Sequence, residues 1–339
     1  MNDYYTSLIS LEDIKKANCL DIDKTIEVIE KTFIDFKNGF VLLPDKISQV
    51  FDEKTQNRIN CMPSTLLKNN VCGVKWVSVF PQNPLKFNFP NVTGVIVLSE
   101  LDYGHPLAIM DGSLLTAFRT ACIGATAAKY LSKVDSSVYC SIGSGEQARM
   151  HFRTIKHCRP SIKKCYVASI DLNSEKQFID SLKQDYCDVD FIPCDSNYRM
   201  ASKEADIIVT AVSCQAPLLK ADSIKKGAFY CHVGGWEDEY EVPLMAQKIV
   251  CDRWDAVKHR TQTISRLYKE GRLSDQDIYS DLVDIIDGSK KGRENDDEFI
   301  YFNSVGLAFI DVAIAFSFYK TVTAHGLGTT FSMVTGEKN

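Results

Sequence analysis

Apolar positions change their period twice along this chain. Between Asp21 and Phe40 they fall at Ile22, Ile26, Ile29, Phe33 and Phe36, close to the 3.6-residue repeat of a helix that packs by one face, and Asp21 stands ready to cap it. From Ile59 the pattern shortens to strand-like runs, Ile59–Met62, Val71–Phe80, Thr93–Leu98 and Pro106–Met110. Pro, Asn and Gly turns separate them, which predicts a largely antiparallel sheet. Ser113–Leu131 is helical again and rich in small residues (Ala117, Ala121, Gly124, Ala125, Ala127, Ala128), so neighbouring backbones can approach it and the helix is expected to be buried.

Beyond it, strand and helix patterns alternate: Val138–Ile142, Glu146–Cys158, Cys165–Ile170, Glu175–Lys183, Val189–Ile192, Ala201–Glu204, Ile207–Thr210, Leu218–Ile224, Ala228–Val233, then Lys248–Cys251. That rhythm predicts a Rossmann-type doubly wound parallel sheet. The expected fold class is therefore α/β, with an additional α+β domain built from the N-terminal strands. A polar stretch, 287–298, reads as a surface loop. Ser304–Ala324 reads as a helix returning to the N-terminal domain, which divides the chain into 1–125 with 309–339 and 126–308.

Composition narrows the function classes. A net charge of −5 over 339 residues provides no basic face for nucleic acid. The 12 cysteines form no Cys-x-x-Cys pair and have no histidine spacing suited to zinc, so no metal is expected and the thiols read as reduced and cytoplasmic. The N-terminus lacks a basic segment followed by an apolar core, and no apolar run approaches the ~18 residues of a membrane span, so a soluble protein without a membrane partner is expected.

The chemistry gathers first at Gly143-Ser144-Gly145-x-x-Ala148, between a strand and a helix. Bare N–H groups at such a terminus favour an anion, and glycines let a pyrophosphate approach the backbone. Asp171, at the end of the next strand, can accept from a ribose 2′-hydroxyl or cap the following helix. No cation follows it in Leu172-Asn173-Ser174, which favours NAD over NADP. Lys75 sits among apolar strand residues, as an edge charge or as a buried ammonium able to orient a carboxylate or act on a proton. Lys46 offers a second cation from a loop, and Arg119, one turn after Thr116, a third. Asp111 either binds a substrate ammonium or caps the helix behind it. In Gly234-Gly235-Trp236-Glu237-Asp238, at a strand's C-terminal end, Glu237 is the leading candidate for an acid/base.

Taken in order, Gly73-Val-Lys75, Thr93-Gly94-Val, Asp111-Gly112-Ser-Leu-Leu-Thr116-Ala-Phe-Arg119-Thr120, the glycine turn and Phe302-Asn-Ser304-Val-Gly306-Leu-Ala-Phe-Ile-Asp311 resemble the ornithine cyclodeaminase/μ-crystallin family over nearly the whole chain. The resemblance implies an NAD(P)-dependent homodimer acting on a small amino-acid-derived substrate, with NAD preferred on the residues after Asp171. Residues 1–125 with 309–339 would then bind substrate and dimerise, and 126–308 would bind NAD. It extends the cofactor contacts to Ser144, Glu146, Gln147, Arg119, Thr120, Ala211, Val212, Ser304 and Gly306. It also implies that Lys75 and Lys46 hold substrate carboxylates.

Arg58-Ile-Asn-Cys-Met62-Pro63-Ser64, Asp252-Arg-Trp254, Gly292-Arg293-Glu294 and Gly328-Thr329-Thr330 look most like the branch that oxidises N-(1-amino-1-carboxy-2-ethyl)-glutamate to L-2,3-diaminopropionate and 2-oxoglutarate. That branch serves siderophore and peptide biosynthesis and implies coupling to a pyridoxal-phosphate-dependent synthase. Ornithine cyclodeaminases carry an Asp directly after the Gly-Gly pair, then a Pro-Gly-Lys run. Here Trp236 takes that place and the run is missing, which weighs against cyclodeamination, though another amino-acid or opine-type dehydrogenase stays open. Family members also serve as non-enzymatic dinucleotide-binding proteins, a reading that the presence of Lys75 and Arg119 disfavours.

Overall fold

The computed structural model describes residues 4–52, 54–213 and 215–334. The first three residues, where the N-terminal expectation begins, and Cys214 lie outside them. By contacts the chain divides into two units, Met1–Arg119 with Leu307–Asn339, and Thr120–Gly306.

In the first unit, strands β1 (Tyr4–Ile9), β2 (Val41–Leu42), β3 (Ile47–Asp52), β4 (Asn57–Leu66), β5 (Val71–Val79), β6 (Val92–Glu100) and β7 (Pro106–Asp111) form one sheet with the C-terminal strand Thr329–Val334. The four strands expected from the pattern pair antiparallel in sequence order, β4-β5-β6-β7. β1 and the C-terminal strand extend the sheet past β7, and the β1–β7 pair is parallel. A helix Ile22–Lys37, capped by Asp21 accepting from the Lys24 amide at 3.0 Å, buries Ile26, Ile29 and Phe33. Phe33 and Phe36 meet Phe309 of the helix Ala308–Ala324 with ring centroids 5.4 and 4.9 Å apart. Phe33 and Phe309 are fully buried, each worth about 1.5–3 kcal/mol of apolar transfer. Gly73 lets that helix close on the sheet, since a Cβ there would lie 2.8 Å from Val97 O and 3.1 Å from Val312 Cγ2.

The helix was expected from Ser304 and begins at Ala308. Ser304, Val305 and Gly306 are instead tied to the Asp252 carboxylate, and Gly306 takes φ +75°, so no helical turn can include them.

The second unit is a fully parallel sheet of β8 (Val138–Ile142), β9 (Lys164–Ala168), β10 (Asp190–Pro193), β11 (Ile207–Thr210), β12 (Phe229–His232), β13 (Lys248–Cys251), β14 (Ser280–Asp281) and β15 (Ile300–Asn303), ordered β10-β9-β8-β11-β12-β15-β13-β14. The order reverses between β8 and β11, the crevice where doubly wound sheets bind ligands. Most of its strands are buried on both faces, which is why they read as continuous apolar runs.

Two features depart from the expected alternation. β15 inserts between β12 and β13. Leu218–Ile224 is not a helix: the Leu218 and Leu219 amides both donate to Glu237 O, Leu219 bridges to Asp238, and a single 3-10 turn, Ala221–Ser223, remains. The 287–298 stretch is a loop, anchored inward by Arg293, whose Nε donates to Leu131 O at 2.8 Å and Nη1 to Glu298 O at 2.7 Å. Among the described residues no helix is long and apolar enough to cross a membrane, and the cysteines are free thiols.

Candidate active site

On β5 the odd positions Val71, Lys75 and Val77 turn inward, so strand alternation alone puts Lys75 beneath the sheet's covering helix. Lys75 is 1% exposed. Its Nζ lies 2.7 Å from Asp311 Oδ2, and Arg119 Nε donates to Asp311 Oδ1 at 2.7 Å. One buried carboxylate thus clasps two buried cations, leaving a net positive charge. Burial, followed by the neighbouring Arg119 charge, pushes the Lys75 ammonium down to about 8 against the opposing pull of Asp311. Arg119 Nη1 is buried and finds no hydrogen-bond partner among the described residues, an orphan donor beside a net positive group. Such a donor suits a carboxylate.

Lys75 lies directly across from Met62 on β4. Lys46 immediately precedes β3, whose register pairs Ile47 with Cys61. Continued by one residue, that register sets the half-buried Lys46 opposite Met62 from the other side. Two lysines therefore flank one methionine, and Met62 belongs to a small separate apolar cluster with Val77 and Ala308, bordered by Leu43 and Val92. The result is an apolar floor with cations at its rim. Asp111 acts as a cap: its Oδ1 accepts from the Ser113 and Leu114 amides, both at 3.1 Å.

In the second unit β8 ends at Gly143, with φ +110°, where a Cβ would lie 2.5 Å from Ala211 O. Only glycine fits that turn. Gly145 caps the helix Glu146–Cys158 without a side-chain bond, and a Cβ there would meet nothing within 4 Å, so the N-terminus faces open space. Ser144 and Ser169 hydroxyls meet at 2.8 Å at the ends of β8 and β9. Asp171 is exposed and caps Leu172–Asp180 through Oδ1, which accepts from the Ser174 amide at 2.7 Å. That bond holds its carboxyl below the usual range. Two buried amides lack partners among the described residues: Gln147 through Oε1, in the first turn after the glycines, and Asn303 through both its oxygen and its nitrogen, at the carboxyl end of β15. Ala211 and Val212 follow β11 on the rim, and Thr120 lies on the Ser113–Leu131 helix.

Glu237 revises the expectation most. It is fully buried, and its oxygens accept from Val212 N at 2.6 Å, Thr210 Oγ1 at 2.7 Å and Gly234 N at 2.8 Å, with His232 Nε2 3.2 Å away. Burial alone would raise its pKa, yet His232 and these donors bring it below the ordinary value. A carboxylate so engaged anchors the loops after β11 and β12 and is a poor proton acceptor. His232 sits between Tyr301 OH at 2.6 Å and Gly235 O at 2.7 Å. Burial disfavours its charge, but Asp238 and Glu237 outweigh that and raise its pKa, while burial lifts Asp238 to about 6.

Sequence reasoning singled out neither Asp311 nor Asp252 as a site residue. Asp252 Oδ2 accepts from Ser304 Oγ at 3.0 Å and from the Val305 and Gly306 amides, both at 2.8 Å, so it shapes the two positions expected at the cofactor. For Asp311 a signal existed: an acid in the first turn of a helix whose first half is otherwise apolar.

The model of the ornithine cyclodeaminase/mu-crystallin family matches residues 6–326. An N-((2S)-2-amino-2-carboxyethyl)-L-glutamate dehydrogenase of Staphylococcus aureus is 28% identical over 278 residues, 82% of each chain. Among solved structures, the Δ1-pyrroline-2-carboxylate reductase of Thermococcus litoralis, in complex with NADH and L-proline, is 32% identical with a TM-score of 0.89, covering 96% of this chain and 99% of that one. An archaeal alanine dehydrogenase dimer with bound NAD is 27% identical with a TM-score of 0.89, covering 98% and 100%.

Proposed function

The chain belongs to the ornithine cyclodeaminase/mu-crystallin family, and from that premise we propose that it is an NAD-dependent oxidoreductase acting on the C–N bond of an amino acid, with N-(1-amino-1-carboxy-2-ethyl)-L-glutamate as substrate and L-2,3-diaminopropionate and 2-oxoglutarate as products. The observation that carries this reading is the buried Lys75–Asp311–Arg119 group, with one proton-active amine and one orphan guanidinium donor. The Staphylococcus aureus relative supports the choice of substrate.

The residues of the second unit fit NAD: a glycine turn, open space at a bare helix N-terminus, and unpartnered amides at Gln147 and Asn303. Gly143, Ser144, Gly145, Glu146 and Gln147 would hold the pyrophosphate, and Asp171 the ribose. Bound there, NAD supplies the hydride acceptor.

Hydride loss from the glutamyl Cα needs the lone pair of the substrate's secondary amine. Lys75, with a pKa of about 8, exists partly neutral near physiological pH and takes the amine proton. The Cα–N bond becomes an imine, water adds at its carbon, and the C–N bond breaks as Lys75 returns a proton to the departing nitrogen. Asp311 keeps Lys75 from losing its proton altogether. Arg119, its plane fixed through Nε on Asp311, presents Nη1 to a carboxylate, and Lys46 offers a point charge across Met62. Such orientation contributes several kcal/mol to lowering a barrier. Glu237 and Asp252 hold the loops that carry Val212, Ser304 and Gly306.

The sheet face opposite Lys75 supports a homodimer. Leu8, Trp76 and Val95 share it by register and are 43, 42 and 41% exposed. A pyridoxal-phosphate-dependent synthase joining glutamate to a three-carbon unit would supply the substrate, and a siderophore or peptide would take up the product in the cytoplasm. A second reading, reduction of a cyclic imine, draws on the 32% identity to the pyrroline reductase and uses the same residues in reverse. The test is product analysis. The adduct with NAD should yield one 2-oxoglutarate and one diaminopropionate per NADH; release of ammonia, or no NADH at all, would overturn the assignment.

A further inference from the structure

In the second unit a fully buried carboxylate that the mechanism above does not use ties the ends of β9 and β10 together. It belongs to Glu175, in the helix Leu172–Asp180. Four backbone amides donate to it: Ser169 at 2.9 Å and Ser196 at 2.8 Å to Oε1, and Cys194 and Asp195, both at 2.8 Å, to Oε2. Three of these donors are consecutive residues, and successive N–H groups curled around one point make a cradle for an anion. Asp195 and Ser196 both take left-handed φ, +48° and +61°, which is costly for residues with a side chain. The Glu175 carboxylate is what keeps that turn in place.

Ser169 carries this anchor to the glycine turn. Its amide is on Glu175, its carbonyl accepts from Tyr198 OH at 3.0 Å, and its Oγ meets Ser144 Oγ at 2.8 Å. The residue before it, Ala168, accepts from the Gly143 amide at 2.8 Å. The end of β9 thus grips the turn at two adjacent points. The two serine hydroxyls bring two hydrogens to one mutual bond. Ser169 is 6% exposed, and among the described residues its hydroxyl has no other partner, so it donates to Ser144. The hydrogen of the half-buried Ser144 is left over, on a turn with open space beside Gly145. A free O–H there suits a phosphate oxygen.

We propose that Glu175 is a positioning residue for the cofactor: through Ser169 it fixes the Ser144 hydroxyl as a donor to the pyrophosphate of the dinucleotide. The inference rests on the NAD reading above and is independent of the substrate. An amide at position 175 would set an NH2 against two of the four N–H donors, displacing the end of β9 and the 194–196 turn together. Ser169 would then move off Ser144, and the pyrophosphate would lose a donor held ready for it.

The test is a double-mutant cycle read as NADH affinity by fluorescence titration. S144A removes the donor itself and should weaken NADH about 10–100-fold, the range for a hydrogen bond to a charged group. E175Q should cost a comparable factor, and E175Q/S144A should bind within about twofold of S144A alone, because both act through one hydroxyl. S169A, which keeps the backbone bond to Glu175, should also weaken NADH. In turnover, E175Q should raise KM for NAD while kcat at saturating NAD stays within about twofold. Losses that multiply in the double variant, or an E175Q that lowers Tm and leaves NADH affinity intact, overturn the proposal, since a merely structural carboxylate gives those results. Should E175Q fail to fold, E175D, whose carboxylate stops one methylene short of the cradle, takes its place under the same criteria. The two readings fail separately: a wild type that binds no NADH sinks the cofactor reading and this inference with it, whereas tight NADH binding with multiplying losses sinks this inference alone.

Discussion

Replacing Asp311 with asparagine leaves Lys75 and Arg119 buried without the carboxylate that they share. Removing one partner of a buried ion pair costs about 3–5 kcal/mol. For a unit of this size that corresponds to a fall of roughly 10 °C in Tm. The loss should depend on pH in a defined direction. Lys75 titrates near 8 in the folded protein, against 10.5 for an ordinary lysine in water. The unfolded chain therefore binds more protons between those values, and native stability rises with pH across that window by about 3 kcal/mol. In D311N the two contributions that raise the Lys75 pKa are gone, so the amine titrates below 8. At pH 6 the wild-type amine is charged and the variant bears the full penalty. At pH 9 the amine is neutral in both, and only Arg119 lacks its partner. Urea unfolding of both proteins at pH 6 and pH 9 should show a clearly larger loss at pH 6. The rising limb of kcat/KM, near pH 8 in the wild type, should move to lower pH in D311N. Equal destabilisation at both pH values, or a limb that stays at 8, would refute the coupling of Asp311 to Lys75.

Two further substitutions separate chemistry from scaffolding. Lys75→Ala should lower kcat by about 10²–10⁴-fold while NADH binding, followed by fluorescence titration, stays within about twofold; unchanged kcat removes Lys75 from the mechanism. Glu237→Gln sets an amide donor among the donors of Val212, Gly234 and Thr210, so stability should drop by about 1–3 kcal/mol and NAD should bind more weakly. Its pH–rate limb near 8 should remain; disappearance of the limb would return the proton-transfer role to Glu237.

What could be read from the sequence follows the range of the interactions involved. The turn at Gly143 was legible because strand, turn and helix are neighbours, and both β8 and the helix Glu146–Cys158 have the bounds that the pattern implied. Helix Ser113–Leu131 was equally local. Lys75 was legible only as a choice between edge charge and buried ammonium. Its partner Asp311 lies on a helix far along the chain, and no spacing rule links them. Glu237 was read by position, at a strand's carboxyl end, but its donors come from Thr210 of β11, from Val212 two residues beyond it and from the Gly-Gly turn. Position suggested chemistry where the hydrogen bonds show an anchor. The start of the helix at Ala308 was hidden likewise, because the backbone before it answers to Asp252 on a different strand end. The apolar run of β15 merges with that of the helix that follows it, so its insertion between β12 and β13 could not be foreseen.

The proposed substrate of this NAD-dependent oxidoreductase is the glutamate–diaminopropionate adduct. Initial rates of NADH formation should be compared for that adduct, ornithine, lysine, alanine and proline at equal enzyme and saturating NAD. The kcat/KM for the adduct should be at least about 100-fold above that of every other compound, a gap of roughly 3 kcal/mol in transition-state binding. A higher kcat/KM for proline, alanine or ornithine would contradict it.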